Sequence, residues 1–285
     1  MAKVFSEADL IINRDGSIYH LHLQPDMVAD RILLVGDPQR VRRISRHFDR
    51  IEHRVASREF VTHTGYLGNT RLSVISTGIG TDNIDIVLHE LDALVNIDLL
   101  RRVPLRKRKK LQIIRLGTTG AVQSDINPGS MLVSVSATGI DALGEYYGFK
   151  KSAAAESFEH AVQKHLGLSL QPYQVQASAR MVTKYGSGMI AGHTVTAPGF
   201  YAPQGRQFYK ASKPDVLNRI TSFRHRGLRF SNMEMETAGI YLLSKIMGHD
   251  AVSLNAVLAN RITGKFMSSP GRVVDDLIRL TLDRL

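Results

Sequence analysis

Short apolar runs that break into glycine or polar clusters alternate along this chain with stretches of helical spacing, and this alternation restricts the fold more than any other feature. RILLV (31–35) gives way to Gly36 and then to Pro38, which suits a first helical turn. Residues 82–98 set Ile84, Val87, Leu88, Leu91, Leu94 and Val95 at helical spacing. LQIIRLG and MLVSVSA read as buried strands with an Asn-Pro-Gly turn between them, and AVSLNAVLA (251–259) as a third. EFVTHTGYL and TRLSVIS flank Gly68-Asn69 and read as a hairpin. Helices near 152–166, over 233–247 and at the C-terminus, with strands near 173–179 and 193–197, complete the expected order. The pattern predicts an α/β fold with a central twisted sheet flanked by helices, mixed rather than parallel because of the hairpin.

No repeat, low-complexity tract or Pro/Gly/Ser-rich linker interrupts the alternation, so one domain over residues 1–285 is expected, with 1–17 as an N-terminal extension. At 43% hydrophobic content, 285 residues can bury a substantial core. The absence of cysteine removes disulfides, thiolate nucleophiles and cysteine metal sites, and points to a reducing compartment, the cytoplasm. No apolar run approaches the roughly 20 residues that span a bilayer, and the first 17 residues lack a basic segment followed by an apolar core. No membrane partner is expected.

The formal charge of +11 suits either a nucleic-acid partner or an enzyme that collects anionic substrates. Much of that charge lies in RRVPLRKRKK (101–110), which contains Pro104 and no aromatic ring for base stacking. It reads as a solvated basic connector, and nucleic-acid binding stays the minority reading.

Polar chemistry in open α/β folds collects at strand C-termini and helix N-termini. In VGDPQR, Gly36 permits close backbone approach to a ligand, and Arg40 lies about one helical turn on, although GDPxR is also a common turn. Arg115 in IIRLGTTGAV is costly inside an apolar strand without a partner. It is read as an anion ligand beside Thr118 and Thr119 in preference to a purely internal ion pair. LANRITG delivers Asn260 and Arg261 to another strand end. In GFYAPQGRQF, Gln204 and Arg206 could face a planar amide-like edge, with Phe200 as a stacking surface. NMEMETAG sets Glu234 and Glu236 around Met235 where a helix should begin. They could complement its dipole, with Asn232 as cap, or Glu236 could grip a polyol while Met235 packs on its apolar face.

The blocks GDPQR, SREF, STGIG, RLGTTGAV, FYAPQGR, NMEMET and LANR occur in an order and spacing that resembles the nucleoside phosphorylases of the uridine phosphorylase type, from about His20 to Ile262. The resemblance implies reversible phosphorolysis of uridine, or another pyrimidine nucleoside, to free base and ribose 1-phosphate. Inorganic phosphate would be the co-substrate, and no cofactor would be required. It implies that Gly36, Arg40, Arg115 and Thr118 hold phosphate, with Arg58 of SREF supplied by a neighbouring subunit. Met235, Glu236 and Thr118 would take the ribose, and His20 would reach its 5′-hydroxyl across the subunit interface. Gln204 and Arg206 would read the base, with Phe200 near it and Arg261 supporting through water or Arg206. Arg115, Arg206 and Glu236 would carry catalysis, and Glu234 would brace the pocket.

Purine-specific relatives use an Asp after the equivalent late strand, where this chain has Asn260-Arg261. Nucleosidases of the family use water, and Arg40, Arg58 and Arg115 argue against them. Some relatives bind potassium between subunits. Glu59, Ile79 and Asn83 occupy the corresponding positions here, within an altered STGIGTDN segment. The connector 101–110 is an insertion relative to the short bacterial pattern. A homodimer is the minimum assembly if Arg58 and His20 act in trans, and a hexamer of three dimers is compatible. The alternatives are a purine phosphorylase or nucleosidase of the same fold and a non-catalytic nucleotide- or nucleic-acid-binding protein.

Overall fold

The computed structural model describes residues 4–210 and 215–285, so the first three residues of the expected N-terminal extension lie outside the described residues. Two compact units emerge, Met1–Ile114 with Leu243–Asp250, and Arg115–Leu242 with Ala251–Leu285.

In the first unit β1 (Arg31–Val35) leads into α1 (Pro38–Ser45), whose N-terminus is capped by Asp37 accepting from the Gln39 amide. Three strands follow: β2 (Arg50–Ser57), β3 (Phe60–Leu67) and β4 (Thr70–Ser76). They form an antiparallel meander, and β4 then pairs in parallel with β1. The expected hairpin is thus β3–β4. Strand β2 was not expected, because RIEHRVAS alternates only between exposed and half-buried positions and lacks an apolar face. The expected helix is α2 (Thr81–Asn96), and its apolar stripe is buried.

The basic connector is more ordered than a solvated tether. β5 (Ile97–Asp98) and β6 (Val103–Pro104) pair as a two-residue ladder. Beyond it Arg108 Nη2 bonds Asp92 at 2.8 Å, the Lys109 amide bonds Asn96 at 2.7 Å, and Lys110 meets Asp250 at 3.1 Å. Buried His249 places Nε2 3.2 Å from the same Asp92. The N-terminal extension is tied to this segment too, since the Phe5 amide donates to the Arg102 carbonyl and Arg102 Nε to Leu10.

β7 (Gln112–Ala121) begins in this unit and carries Arg115 onward into the second. There β8 (Met131–Gly139) is followed by α3 (Ala153–Leu166), β9 (Tyr173–Gln176), α4 (Ala179–Tyr185) and β10 (Ile190–Thr196). Then come α5 (Val216–Ser222), β11 (Asn232–Glu234), α6 (Thr237–Met247), which reaches into the first unit's residues, β12 (Asp250–Asn260) and α7 (Pro270–Leu282). β8, β10 and β11 run parallel, while β9 and β12 flank β8 antiparallel and β7 meets β11 antiparallel through Gly120 and Ala121. Parallel and antiparallel pairs coexist in both units, as expected for a mixed sheet.

Two expectations shift here. The helix expected over 233–247 starts at Thr237, because Asn232–Glu234 join the sheet as β11. Met233 is consequently a core residue, packed with Phe158, Phe223 and Phe230, the last two rings stacked 4.9 Å apart. Asn232 is not a helix cap. Its amide bonds Thr119 Oγ1 and its carbonyl accepts from Thr194, both inside the sheet.

Candidate active site

β7, β10, β11 and β12 bring a buried charge cluster together in the second unit. Arg115 is 6% exposed, Glu234 4% and Glu236 6%, so all three charges are nearly removed from water. Arg115 Nη2 lies 2.5 Å from Glu236 and 3.1 Å from Glu234, while Nη1 donates to Asn255 Oδ1 at 2.8 Å and more distantly to Ser253. Burial works against the guanidinium charge, but the two carboxylates outweigh it and hold the Arg115 pKa above its ordinary value. The internal ion pair weighed against an anion role is therefore present.

The strand makes room for this guanidinium. Arg115 and Gly117 share a face of β7, and a Cβ at Gly117 would stand 1.8 Å from Arg115 Nη1. The two threonines divide along the same alternation. Thr119 is buried and bonds the Met233 carbonyl, whereas Thr118 is half-buried and its hydroxyl has no protein partner among the described residues.

Glu234 and Glu236 have different tasks. Glu234 accepts from the Glu236 and Thr237 amides and from the Thr196 and Thr237 hydroxyls, all at 3.1 Å or less. It satisfies the first donors of α6, whose dipole favours a negative charge there. Glu236 carries the acid that Arg115 grips most closely. One guanidinium faces two carboxyl groups in this trio, so a phosphate anion needs further cations to bind beside it.

A second cluster lies on the loop after β10. Arg206 stacks on Phe200 with its guanidinium carbon 3.6 Å from the ring centroid, and its Nη1 bonds the Phe200 carbonyl and Gln204 Oε1. Gln204 is buried, and its backbone carbonyl accepts from Arg261 Nη1 at 3.1 Å. Arg261 thus supports the loop through Gln204, not through Arg206. Burial, followed by repulsion from Arg261, lowers the Arg206 pKa to about 10, which leaves it cationic at neutral pH. Asn260 beside it is fully spent: its amide bonds the Gln123 and Ile126 carbonyls, and its oxygen accepts from the Ile262 and Thr263 amides.

A family model described as the phosphorylase superfamily matches residues 30–275. The chain belongs to the phosphorylase superfamily. Relatives include the uridine phosphorylase of Thermococcus kodakarensis, 30% identical over 93% of this chain and 86% of its own length. A DeoD-type purine nucleoside phosphorylase of Shewanella loihica is 26% identical over 93% of this chain and 96% of its own. Among solved structures, a Trypanosoma brucei nucleoside phosphorylase with uridine phosphorylase activity superposes with a TM-score of 0.88 at 30% identity, covering 97% of this chain and 99% of that one. The α/β fold with a central sheet is this family's, and the chain is by family a nucleoside phosphorylase, a pentosyltransferase that acts on nucleoside and phosphate.

The remaining residues singled out in this phosphorylase superfamily chain sit in the first unit, apart from Met235, which is half-buried between β11 and α6. Gly36 closes β1 where a Cβ would come within 3.3 Å of the Gly78 carbonyl, and Arg40 lies on α1. His20 is oriented by Glu90, which takes its Nδ1 at 2.6 Å and the His20 and Leu21 amides besides. Tyr19 packs edge-on against His20, and Arg58 lies over the Tyr19 ring at 5.4 Å, so His20 and Arg58 belong to one surface. Arg58 occupies a left-handed turn between β2 and β3, with φ of 54°. Glu59 and Asn83 side chains converge on Gly78, next to exposed Ile79. No helix is long and apolar enough to cross a membrane among the described residues.

Sequence reasoning missed Glu90, Thr196, Thr237, Ser253 and Asn255, all of which position site groups. One signal was available: Ser253 and Asn255 stand two apart in the otherwise apolar interior AVSLNAVLA of β12, on the face that meets Arg115.

Proposed function

We propose that the chain is a uridine phosphorylase, which transfers the ribosyl group of uridine to inorganic phosphate in pyrimidine nucleoside salvage. The observation that carries this reading is the pairing of a fully engaged Asn260 with a cationic Arg206–Gln204–Arg261 cluster. Where purine-specific relatives place an acid to protonate the base, this side chain has no proton to give and no free hydrogen-bonding atom to offer. The neighbouring guanidinium instead suits an anionic leaving group with carbonyl oxygens, such as uracil.

The chemistry follows from charge. Breaking the glycosidic bond builds positive character on ribose and negative charge on the departing base. Phosphate beneath the sugar stabilises the first and Arg206 the second, without a covalent enzyme intermediate. The family resemblance gives phosphate contacts to Arg115 and Thr118, and the ribose to Glu236 and Met235. Gly36 and Arg40 keep the phosphate role that the family resemblance gives them. Arg58 and His20 serve a neighbouring subunit's site, which makes a homodimer the smallest active form. The single guanidinium between two carboxyl groups in the Arg115–Glu234–Glu236 trio supports the need for these additional cations. The family resemblance gives a potassium role to Glu59, the Ile79 backbone carbonyl and Asn83, and the Glu59 and Asn83 side chains both lie against Gly78.

The test is uracil release from uridine followed by ultraviolet absorbance, with and without phosphate, and with inosine in parallel. Release that requires phosphate and is confined to uridine is expected. Release from inosine alone would preserve phosphorolysis and overturn the base assignment, as the similarity to purine phosphorylases makes worth checking.

A further inference from the structure

In the first unit, α1 and the β2–β3 pair border a groove of about 540 Å³ that none of the roles above uses. Arg42, Ser45 and Arg46 from α1, Arg54 from β2 and His63 from β3 supply its polar lining, and no carboxylate lines it. Neither Arg42 nor Arg54 has an ion-pair partner among the described residues. The adjoining groove holds Asp49 and Glu52, but these acids are engaged elsewhere. Glu52 takes Arg71 at 2.8 Å and Arg50 at 3.2 Å, and Asp49 takes the Gly68 amide.

His63 is the most informative member. It is only 8% exposed, and its Nδ1 lies 2.7 Å from Ser45 Oγ. Its Nε2 has no protein partner among the described residues, in a groove that otherwise presents guanidinium groups. Burial, then the charges of Arg54 and Arg42, keep the imidazole below its ordinary value and hence neutral near pH 7. Either group can donate in the Ser45–His63 bond; an anion at the free Nε2 selects the tautomer in which the Ser45 hydroxyl donates to Nδ1 and the ring proton sits on Nε2.

We propose that this groove is an anion site for the phosphate group of a small molecule, in which Arg42 and Arg54 supply charge and His63 Nε2–H a directed hydrogen bond. Two guanidinium groups match a phosphate dianion in charge and donor geometry, whereas one carboxylate would neutralise only one of them. The site is independent of the nucleoside-binding reading, because it shares no residue with it.

Inorganic pyrophosphate is the probe, and the His63 imidazole signal, identified by its loss in His63→Gln, is the reporter. Pyrophosphate should raise the His63 titration midpoint in the wild-type chain and equally in Arg115→Ala, since the added anion offsets the arginine charges. The double variant Arg42→Gln/Arg54→Gln should bind at least about tenfold more weakly while keeping phosphate-dependent nucleoside cleavage. A His63 signal that ignores pyrophosphate, or that responds equally in the double variant, would overturn the site. Sedimentation with phosphatidylcholine vesicles carrying phosphatidic acid, without a response to pyrophosphate, would reassign the same chemistry to a lipid headgroup and overturn the small-molecule assignment.

Discussion

Glu234 and Glu236, two residues apart, separate an acid that caps a helix from the one proposed to hold ribose. Glu234 is surrounded by two amides, two hydroxyls and a guanidinium. Glu234→Ala should therefore cost about 3–5 kcal/mol, the range for breaking a buried ion pair, and chemical denaturation will measure it. Glu236→Ala should cost less stability while abolishing most nucleoside cleavage; equal stability losses would reject the division. Histidines give a pH signature. Burial is the first cause holding both His63 and His193 below 6.5. Stability from these groups is complete above pH 6.5. It falls below that value, because the unfolded chain then binds protons that the folded imidazoles resist, until the folded groups themselves titrate. His63→Gln and His193→Gln should each flatten that acidic limb of a stability-versus-pH curve.

At the scale of elements, strand β7 shows how a short sequence prepares a site. Gly117→Ala would push a methyl into the Arg115 guanidinium. If Arg115 has the proposed role, the change should reduce nucleoside cleavage at least about a hundredfold, with circular dichroism showing a retained fold. Helix α3 offers a control remote in function. Ser152 caps it by accepting from the Ala155 amide, so Ser152→Ala should cost about 1 kcal/mol and leave kcat unchanged. Legibility varied between elements for a physical reason. β1, α2 and the β3–β4 hairpin declared themselves through apolar period and turn chemistry. α4 and α5 are seven residues each, too short for periodicity to mark. β11 was absorbed into the following helix because sheet pairing with β10 and β7 overrides local propensity.

At the scale of the whole molecule, the proposed exchange of Arg58 and His20 between subunits has a direct test. Arg58→Ala and Arg115→Ala should each be nearly inactive. Mixed dimers of the two should regain about a quarter to a half of the wild-type rate per dimer, since one site in each hybrid then holds both arginines. Absence of recovery in subunit-exchanged samples would place Arg58 in the site of its own chain. The two compact units have different characters: the first carries the antiparallel meander and the pinned basic connector, the second the buried acid–arginine cluster.

By itself, the sequence determined the α/β class and most of the element order, and it pointed to the candidate site, because apolar periodicity and glycine–polar strand ends are local signals. Only the tertiary structure decided that Arg115 is shared by two carboxylates, that Glu90 aims His20, and that Arg261 reaches Gln204 and not Arg206. It also decided that Asn260 has no atom left to offer a purine. His20, Arg115 and Arg261 reach these partners across 57 to 140 positions of the chain. Strand pairing and burial bring them within reach, and no periodicity along the chain encodes such a distance.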